Sequence, residues 1–284
     1  MLKMVEENPL ISLIEIKRRL FETVGVSVST TTIHKHLEGK FYSIKQVRSE
    51  PVSMNSDVNK EKRRTYVENI MKEIGSGNDL IYIDETNCNL FLRRTNGRSK
   101  KGTRCIVKAP TSKGKNIHII AGISQTGLIY WERLRGSYTK VACNEWLQRL
   151  LRNYAGDYSK LSIVCDNAPV HVDIEKIAEE EEFCGINVIR LAPYSSPLNP
   201  IEECWSVLKS KIKEKLSVTM QEMLTSTPPH GVTLTEYRLG YLERVIDESI
   251  PAITPTLCMK TCNHVQKYFS DCLSLKNLQM GDIM

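Results

Sequence analysis

Three acidic residues far apart in the chain, Asp84, Asp166 and Glu202, stand where short apolar runs give way to polar sequence. Asp84 ends the apolar run Leu80-Ile81-Tyr82-Ile83, and Asp166 ends Leu161-Ser162-Ile163-Val164-Cys165. Open α/β sheets gather their sites beyond the carboxyl ends of their strands, which is where these two acids would emerge. Parallel neighbouring strands would bring them together, and carboxylates crowded into a partly buried cleft repel unless a divalent cation joins them. With phosphate as the substrate, two such ions about 3.5–4 Å apart activate water and stabilise the leaving oxygen. The competing reading makes each acid an ordinary strand-end turn former.

Glu202 lies in Ser195-Ser196-Pro197-Leu198-Asn199-Pro200-Ile201-Glu202, ahead of a long helical pattern. Asn199 can cap that helix, Pro200 suits its first turn, and Glu202 three residues after the cap can complete a capping box. Ile201, Cys204, Trp205, Leu208 and Ile212 share one helical stripe that should face a sheet. At 100° per residue Glu202 borders that stripe, whereas Glu203 lies opposite and is expected to face water. Glu202 is therefore the ligand candidate of the two.

Charge adds a second signal. The chain carries a net charge of +6 over 284 residues, and nine Lys/Arg without a single Asp or Glu lie between Arg93 and Lys115. A one-signed stretch repels itself unless something negative lies beside it, which favours phosphate contact over a merely solvated loop. Hydrophobic residues make up 41% and charged ones 25%, the balance of a globular protein rather than a disordered one. No apolar run approaches a membrane span, and the N-terminus has acids and a proline where a secretory signal would be apolar, predicting a soluble intracellular protein. The nine cysteines are odd in number and lack a C-x-x-C pair, against a disulfide framework or a zinc ribbon. Cys258, Cys262 and His264 lie close together without an evident fourth ligand, and read as buried or half-buried thiols.

The elements that must position these groups follow from periodicity. Residues 10–38 read as a helix-turn-helix: Leu10, Leu13, Ile14, Ile16, Leu20 and Phe21 at helical spacing, a turn at Gly25, then a helix capped by Ser29 or Thr30 and ended by Gly39. Thr32, His34 and Lys35 would project from that second helix, which in such motifs enters the major groove. A generic helical hairpin has the same layout. A linker over 42–58 precedes an amphipathic helix with Tyr66, Ile70 and Ile74 on one side. Then come a strand over 80–86, a hairpin over 116–134, a helix over 143–156, a strand over 161–167, a helix over 172–183, a strand over 186–193 and a helix over 199–216. Apolar strands alternating with helices predict an α/β, ribonuclease-H-like mixed sheet covered on both faces. The expected division is 1–41 partial helix-turn-helix, 42–78 linker and connecting helix, 79–216 catalytic domain, and 217–284 helical extension.

At Ile83-Asp84-Glu85-Thr86, at Arg93–Arg104, at Cys165-Asp166-Asn167-Ala168-Pro169-Val170-His171 and at Tyr194–Trp205, the sequence resembles the mariner superfamily of DDE transposases and related insertion-sequence enzymes. The motifs keep the family's order, so the resemblance covers roughly 80–216. It implies a nuclease and strand transferase that cuts at transposon ends and joins the freed 3′-hydroxyl to target DNA, using two Mg2+ ions for which Mn2+ substitutes. Asp84, Asp166 and Glu202 fall on its catalytic, metal-binding triad. Asn167 and His171 fall on neighbouring motif positions and read as positioning residues, with strand-to-helix capping as the alternative. Arg93, Arg94, Arg98, Lys100, Lys101 and Arg104, with Thr32, His34 and Lys35, are the expected contacts to double-stranded DNA.

Two departures from the family stand out. Only nine residues precede Leu10 where the family usually has a further helix-turn-helix, which suggests a truncated copy, a shortened gene model or a host-adopted remnant. Thirty-five residues (167–201) separate Asp166 from Glu202, one more than is commonest in eukaryotic members. The resemblance further implies a homodimer when paired on DNA, no membrane partner, and a nuclear location that the cluster Lys62-Arg63-Arg64 would serve. The alternatives are a non-catalytic DNA-binding protein descended from a transposase, and a general ribonuclease-H-like nuclease.

Overall fold

The computed structural model describes residues 1–40, 42–45 and 49–279, which form two units, Met1–Glu50 and Pro51–Met284. What the sequence predicts for Phe41, residues 46–48 and residues 280–284 lies outside the described residues.

The first unit has helices α1 (Leu2–Glu7), α2 (Leu13–Val24) and α3 (Thr30–Glu38). Ser12 caps α2 by accepting the Glu15 amide, and Ser29, not Thr30, caps α3 by accepting the Thr32 amide. Gly25 closes α2 at φ +69°, a left-handed conformation that costs a glycine nothing. Of the apolar stripe the periodicity predicts, only Ile16 is buried, against Ile33 of α3, while Leu10, Ile14 and Phe21 are exposed. Two helices meeting along one line cover a narrower strip than the sequence pattern offers.

The second unit is built on a five-stranded sheet of order β3-β2-β1-β4-β5. Its strands are β1 (Asp79–Cys88), β2 (Ile117–Ser124), β3 (Gly127–Arg135), β4 (Leu161–Cys165) and β5 (Asn187–Arg190). β3, β2 and β1 pair antiparallel, and β4 and β5 continue parallel to β1, so the sheet is mixed as predicted. Alternation divides the side chains between two cores. Ile81, Ile83, Ile163 and Cys165 face helices α5 (Lys140–Asn153) and α6 (Ile174–Ala178). Tyr82 and Val164 face α4 (Asp57–Gly75), α7 (Ile201–Thr225), α8 (Leu234–Asp247), α9 (Pro255–Val265) and α10 (Phe269–Leu273).

Helix α5 shows why this packing holds. Thr139 caps it, and Cys143, Trp146, Leu147, Leu150 and Leu151 form a buried stripe at i, i+3, i+4, i+7 and i+8. Each large apolar side chain buried this way contributes about 1.5–3 kcal/mol. The helix approaches the sheet so closely that a Cβ at Gly122 would lie 2.4 Å from Leu150 Cδ1, leaving room only for glycine.

Several boundaries differ from the sequence expectation. Helix α5 stops at Asn153, before Tyr154, whose hydroxyl binds Asp79. The helix predicted over 172–183 shrinks to Ile174–Ala178. Four consecutive glutamates repel along a helix, and here Glu180 and Glu182 turn outward to Gln148 and Arg152 of α5. Helix α7 runs nine residues past 216, to Thr225, because no breaker occurs before Ser226. Within the helical extension expected over 217–284, the helix holding Cys258 and Cys262 begins at Pro255 with Thr254 as its cap.

In α4 the buried face is Asn59, Arg63, Tyr66, Val67 and Ile70, and Ile74 is exposed. Arg63 donates to Met54 O and to Asn55 Oδ1, so the cluster Lys62-Arg63-Arg64 does not present three free cations. Helix α8 is clamped to β3 by Arg133 with Asp247 and Arg135 with Glu243. Cys258 and Cys262 are buried thiols, as predicted. No helix among the described residues is long and apolar enough to cross a membrane.

Candidate active site

The parallel pairing of β1 with β4 ends at Tyr82 opposite Val164, while β1 continues along β2 as far as Cys88. Asp84 is therefore mid-strand and does not end its strand, although the apolar run stops there. What ends is its neighbour: β4 stops at Cys165, and two more residues along the same register set Asp84 level with Asp166. The gap beside β1 beyond the end of β4 is the cleft.

Asp84 shares a face with Tyr82 and accepts a hydrogen bond from Trp205 Nε1 of α7 at 3.0 Å. Burial and the nearby charge of Glu202 push its carboxyl up to about 7. Glu202 sits in the first turn of α7, where the helix dipole favours an anion. Glu202 is exposed along much of its length, yet the protein around its carboxyl and the charge of Asp166, opposed by Lys209, still raise that carboxyl as well. Glu202 thus acts electrostatically on Asp84, and Asp166 on Glu202.

The capping box proposed as an alternative role for Glu202 does not form. Pro200 occupies the cap position without a side-chain hydrogen bond, and the buried Asn199 Oδ1 has no partner among the described residues. Glu203 does not face water. It is half-buried, with Oε1 3.3 Å from His264 Nε2, because α9 covers that side of α7.

Asp166 has a different environment. Its Oδ1 accepts the Ala168 amide at 2.9 Å and lies 2.6 Å from His171 Nδ1. The His171 ring is fully buried, and its Nε2 lies 3.1 Å from Glu85 Oε1 and 3.0 Å from Oε2. Burial disfavours the charged imidazole, but hydrogen bonds to Asp166, Cys143 and Glu85 outweigh it, and His171 is held far above its ordinary range. Burial would raise Asp166, yet His171 and the Ala168 amide hold it below the usual carboxylate value. Asn167 Nδ2 donates to Leu191 O and Arg190 Nη1 donates to Asp166 O, tying the Asp166 turn to β5.

Glu85 and Cys143 escape a reading of the sequence alone. Glu85 stands beside Asp84 in the chain but points to the opposite face of β1. Cys143 Sγ, on α5, lies 3.7 Å from Glu85 Oε1. Among the described residues, Glu85, Cys143 and His171 are the metal-capable side chains whose ligand atoms all lie within 4.8 Å of one another. The three acids of the cleft are spaced more widely. Two ions about 3.5–4 Å apart, each bound at about 2.0–2.1 Å, are held by ligands spread over twice that distance, so wide spacing does not disqualify them.

The 28-residue segment between β1 and β2 carries the basic run. Arg93, Arg94, Arg98, Lys100, Lys101 and Arg104 are all exposed, and among the described residues no ion pair engages them. Arg93 stacks over Phe91, 6.0 Å from the ring centroid. In α3, Lys35 is exposed, His34 is half-buried and 3.4 Å from Glu38, and the Thr32 hydroxyl bonds Ser29 Oγ.

A sheet of this topology with acids at the end of its parallel pair is the ribonuclease-H-like catalytic fold, and residues 79–225 match the DDE superfamily endonuclease family. The chain belongs to that family. Its fold is that of solved Mos1 transposase assemblies. A pre-cleavage Mos1 transpososome matches with TM-score 0.66 and 16% identity over 98% of this chain and 78% of that one. The Mos1 strand transfer complex matches with TM-score 0.64 and 17% identity, over 98% and 77%. The Mos1 mariner paired end complex with Mn gives 0.64 and 17%, over 96% and 76%. No curated protein matches the sequence significantly.

Proposed function

We propose that this protein is a transposase that cleaves double-stranded DNA at transposon ends and joins the freed 3′-hydroxyl to target DNA. The observation that carries the proposal is the register that sets Asp84 level with Asp166 just past the end of β4, with Glu202 near enough in the first turn of α7 for its charge to oppose that of Asp84. Hard oxygen donors whose negative charges oppose one another suit Mg2+, with Mn2+ as a substitute. Asp84, Asp166 and Glu202 would hold two such ions, which when bound supply activation of the attacking oxygen and neutralisation of the leaving one. The Mn-bound Mos1 complex supports a divalent metal in this fold.

The chain's own residues do the rest. Trp205 fixes one oxygen of Asp84, and His171 with the Ala168 amide fixes one oxygen of Asp166, so neither carboxylate has to reorganise when charge develops. Asn167 and Arg190 hold the turn that carries Asp166. Arg93, Arg94, Arg98, Lys100, Lys101 and Arg104 bind the DNA backbone, and Thr32, His34 and Lys35 of α3 approach the major groove. Residues 1–41 are the DNA-binding region, 42–78 the connection, 79–216 the catalytic domain and 217–284 its helical extension. Pairing two transposon ends calls for a homodimer, and the substrate places the protein in the nucleus.

Nicking of end-labelled duplex DNA by wild type and Asp166→Ala, with and without Mg2+, tests this. Cleavage that needs both Mg2+ and Asp166 is expected. Equal activity in the two proteins overturns the proposal, DNA binding with no cleavage by either leaves the non-catalytic reading, and preference for an RNA–DNA hybrid leaves the general nuclease.

A further inference from the structure

Behind β1, on the face opposite Asp84, a second constellation has a different chemistry. Cys143 Sγ from α5, His171 Nε2 from the turn after β4, and the carboxylate of Glu85 from β1 converge, their ligand atoms all within 4.8 Å of one another. Cys143 and His171 are fully buried, and the Glu85 side chain is 13% exposed, which leaves one opening. We propose that these residues form a binding site for a zinc-class divalent ion, separate from the Mg2+ cleft of Asp84, Asp166 and Glu202.

The distances fit. A tetrahedral zinc has Zn–N about 2.0–2.1 Å, Zn–O about 2.0–2.2 Å and Zn–S about 2.3 Å, which sets N···O near ~3.4 Å and S···O near ~3.6 Å. Here Nε2 lies 3.0 and 3.1 Å from the two Glu85 oxygens, and Sγ lies 3.7 Å from Oε1. Glu85 supplies one oxygen, and the opening beside its partly exposed side chain admits a water as the fourth ligand, completing one nitrogen, one sulfur and two oxygens. The surroundings fit as well. A metal-binding histidine commonly donates its other ring N–H to a carboxylate, which fixes the ring and its tautomer, and His171 Nδ1 lies 2.6 Å from Asp166 Oδ1.

Ligand softness separates the two sites. A thiolate and an imidazole select zinc, cobalt or copper over magnesium, whereas an all-carboxylate cleft suits Mg2+ and does not exclude it as a thiolate site does. Binding exchanges the proton on Nε2 and the proton on Sγ for the ion, and those two protons leave to solvent. Because His171 also holds Asp166, an ion here fixes the orientation of one cleft carboxylate without occupying the cleft. The site itself does not depend on the nuclease reading, and its test needs no DNA.

Co2+ titrated into the metal-free protein in excess Mg2+ is the probe. One Co2+ per chain should bind with the intense visible bands of a tetrahedral ion and a thiolate-to-cobalt charge-transfer band, both abolished by one equivalent of Zn2+. Cys143→Ser should lose the charge-transfer band, while Cys105→Ser and Cys184→Ser, at exposed cysteines, should keep it. Asp166→Asn should keep the band with about 10–100-fold weaker Co2+ binding, the usual cost of losing a carboxylate behind a metal-bound histidine. X-ray absorption on wild type, which needs no variant to fold, should show a single sulfur with nitrogen and oxygen neighbours. Absence of the band, its survival in Cys143→Ser, or two or more sulfurs around the ion overturns the proposal.

Discussion

Asp84 and Glu85 are adjacent on one strand, yet they live in opposite electrostatic worlds. Glu85 points to the α5 face and meets the buried imidazole of His171, which is held charged between Glu85 and Asp166. Asp84 points to the α7 face, where it meets a neutral indole N–H and, beyond it, the like charge of Glu202. Glu85 has a counter-cation in contact, and Asp84 has a neutral donor instead. Strand alternation alone creates the difference, and it separates an acid already paired with an imidazole from an acid that has no cation in contact.

Exchanging the charges one at a time breaks the comparison. The largest effect is expected for Asp84→Asn on catalysis: nicking of duplex DNA should fall by at least ~10²–10³-fold, the scale for losing one electrostatic stabiliser of a transition state. His171→Ala should come next, because it strands two acids beside a buried void. Removing one partner of a buried charge pair costs about 3–5 kcal/mol, and urea unfolding measures it. Trp205→Phe keeps the core filled but removes the donor to Asp84, and Mn2+ should bind about 10-fold more weakly by titration calorimetry.

The smallest effect carries the sharpest sign. Asp84→Asn keeps an acceptor for Trp205 while removing a disfavoured charge, so the metal-free variant should melt higher than wild type. At ~1 kcal/mol the rise is about 2–4 °C for a chain of this size. Glu85→Gln, which deprives His171 of its counter-charge, should melt lower. The same shift in both variants would erase the distinction between the faces.

Much of the scaffold could be read from the sequence because it rests on local rules. Apolar runs marked β1, β4 and β5, a hydroxyl cap at Ser29 or Thr30 marked α3, and the stripe from Ile201 to Ile212 marked the buried face of α7. What could not be read depends on neighbours that no periodicity encodes. Asp84 looked like a strand end because its flanking residues change character there, whereas pairing with β2 carries β1 four residues further. Arg63 looked like part of a basic cluster until its guanidinium found Met54 O and Asn55. Glu203 was assigned to solvent because α9 arrives from more than fifty residues away. The Glu85–His171–Cys143 cluster unites a strand, a turn and a helix, and the only trace of it in sequence was that His171 lay five residues after Asp166.

The central claim is that Asp84, Asp166 and Glu202 hold divalent ions together while Glu85 takes no part in holding them. Anomalous diffraction from a crystal soaked in Mn2+ tests it most directly. Peaks bridged by oxygens of all three acids, each at about 2.0–2.2 Å as for hard cations on carboxylates, are the expected result. Manganese bound without these acids, or at Glu85 with none in the cleft, would contradict it.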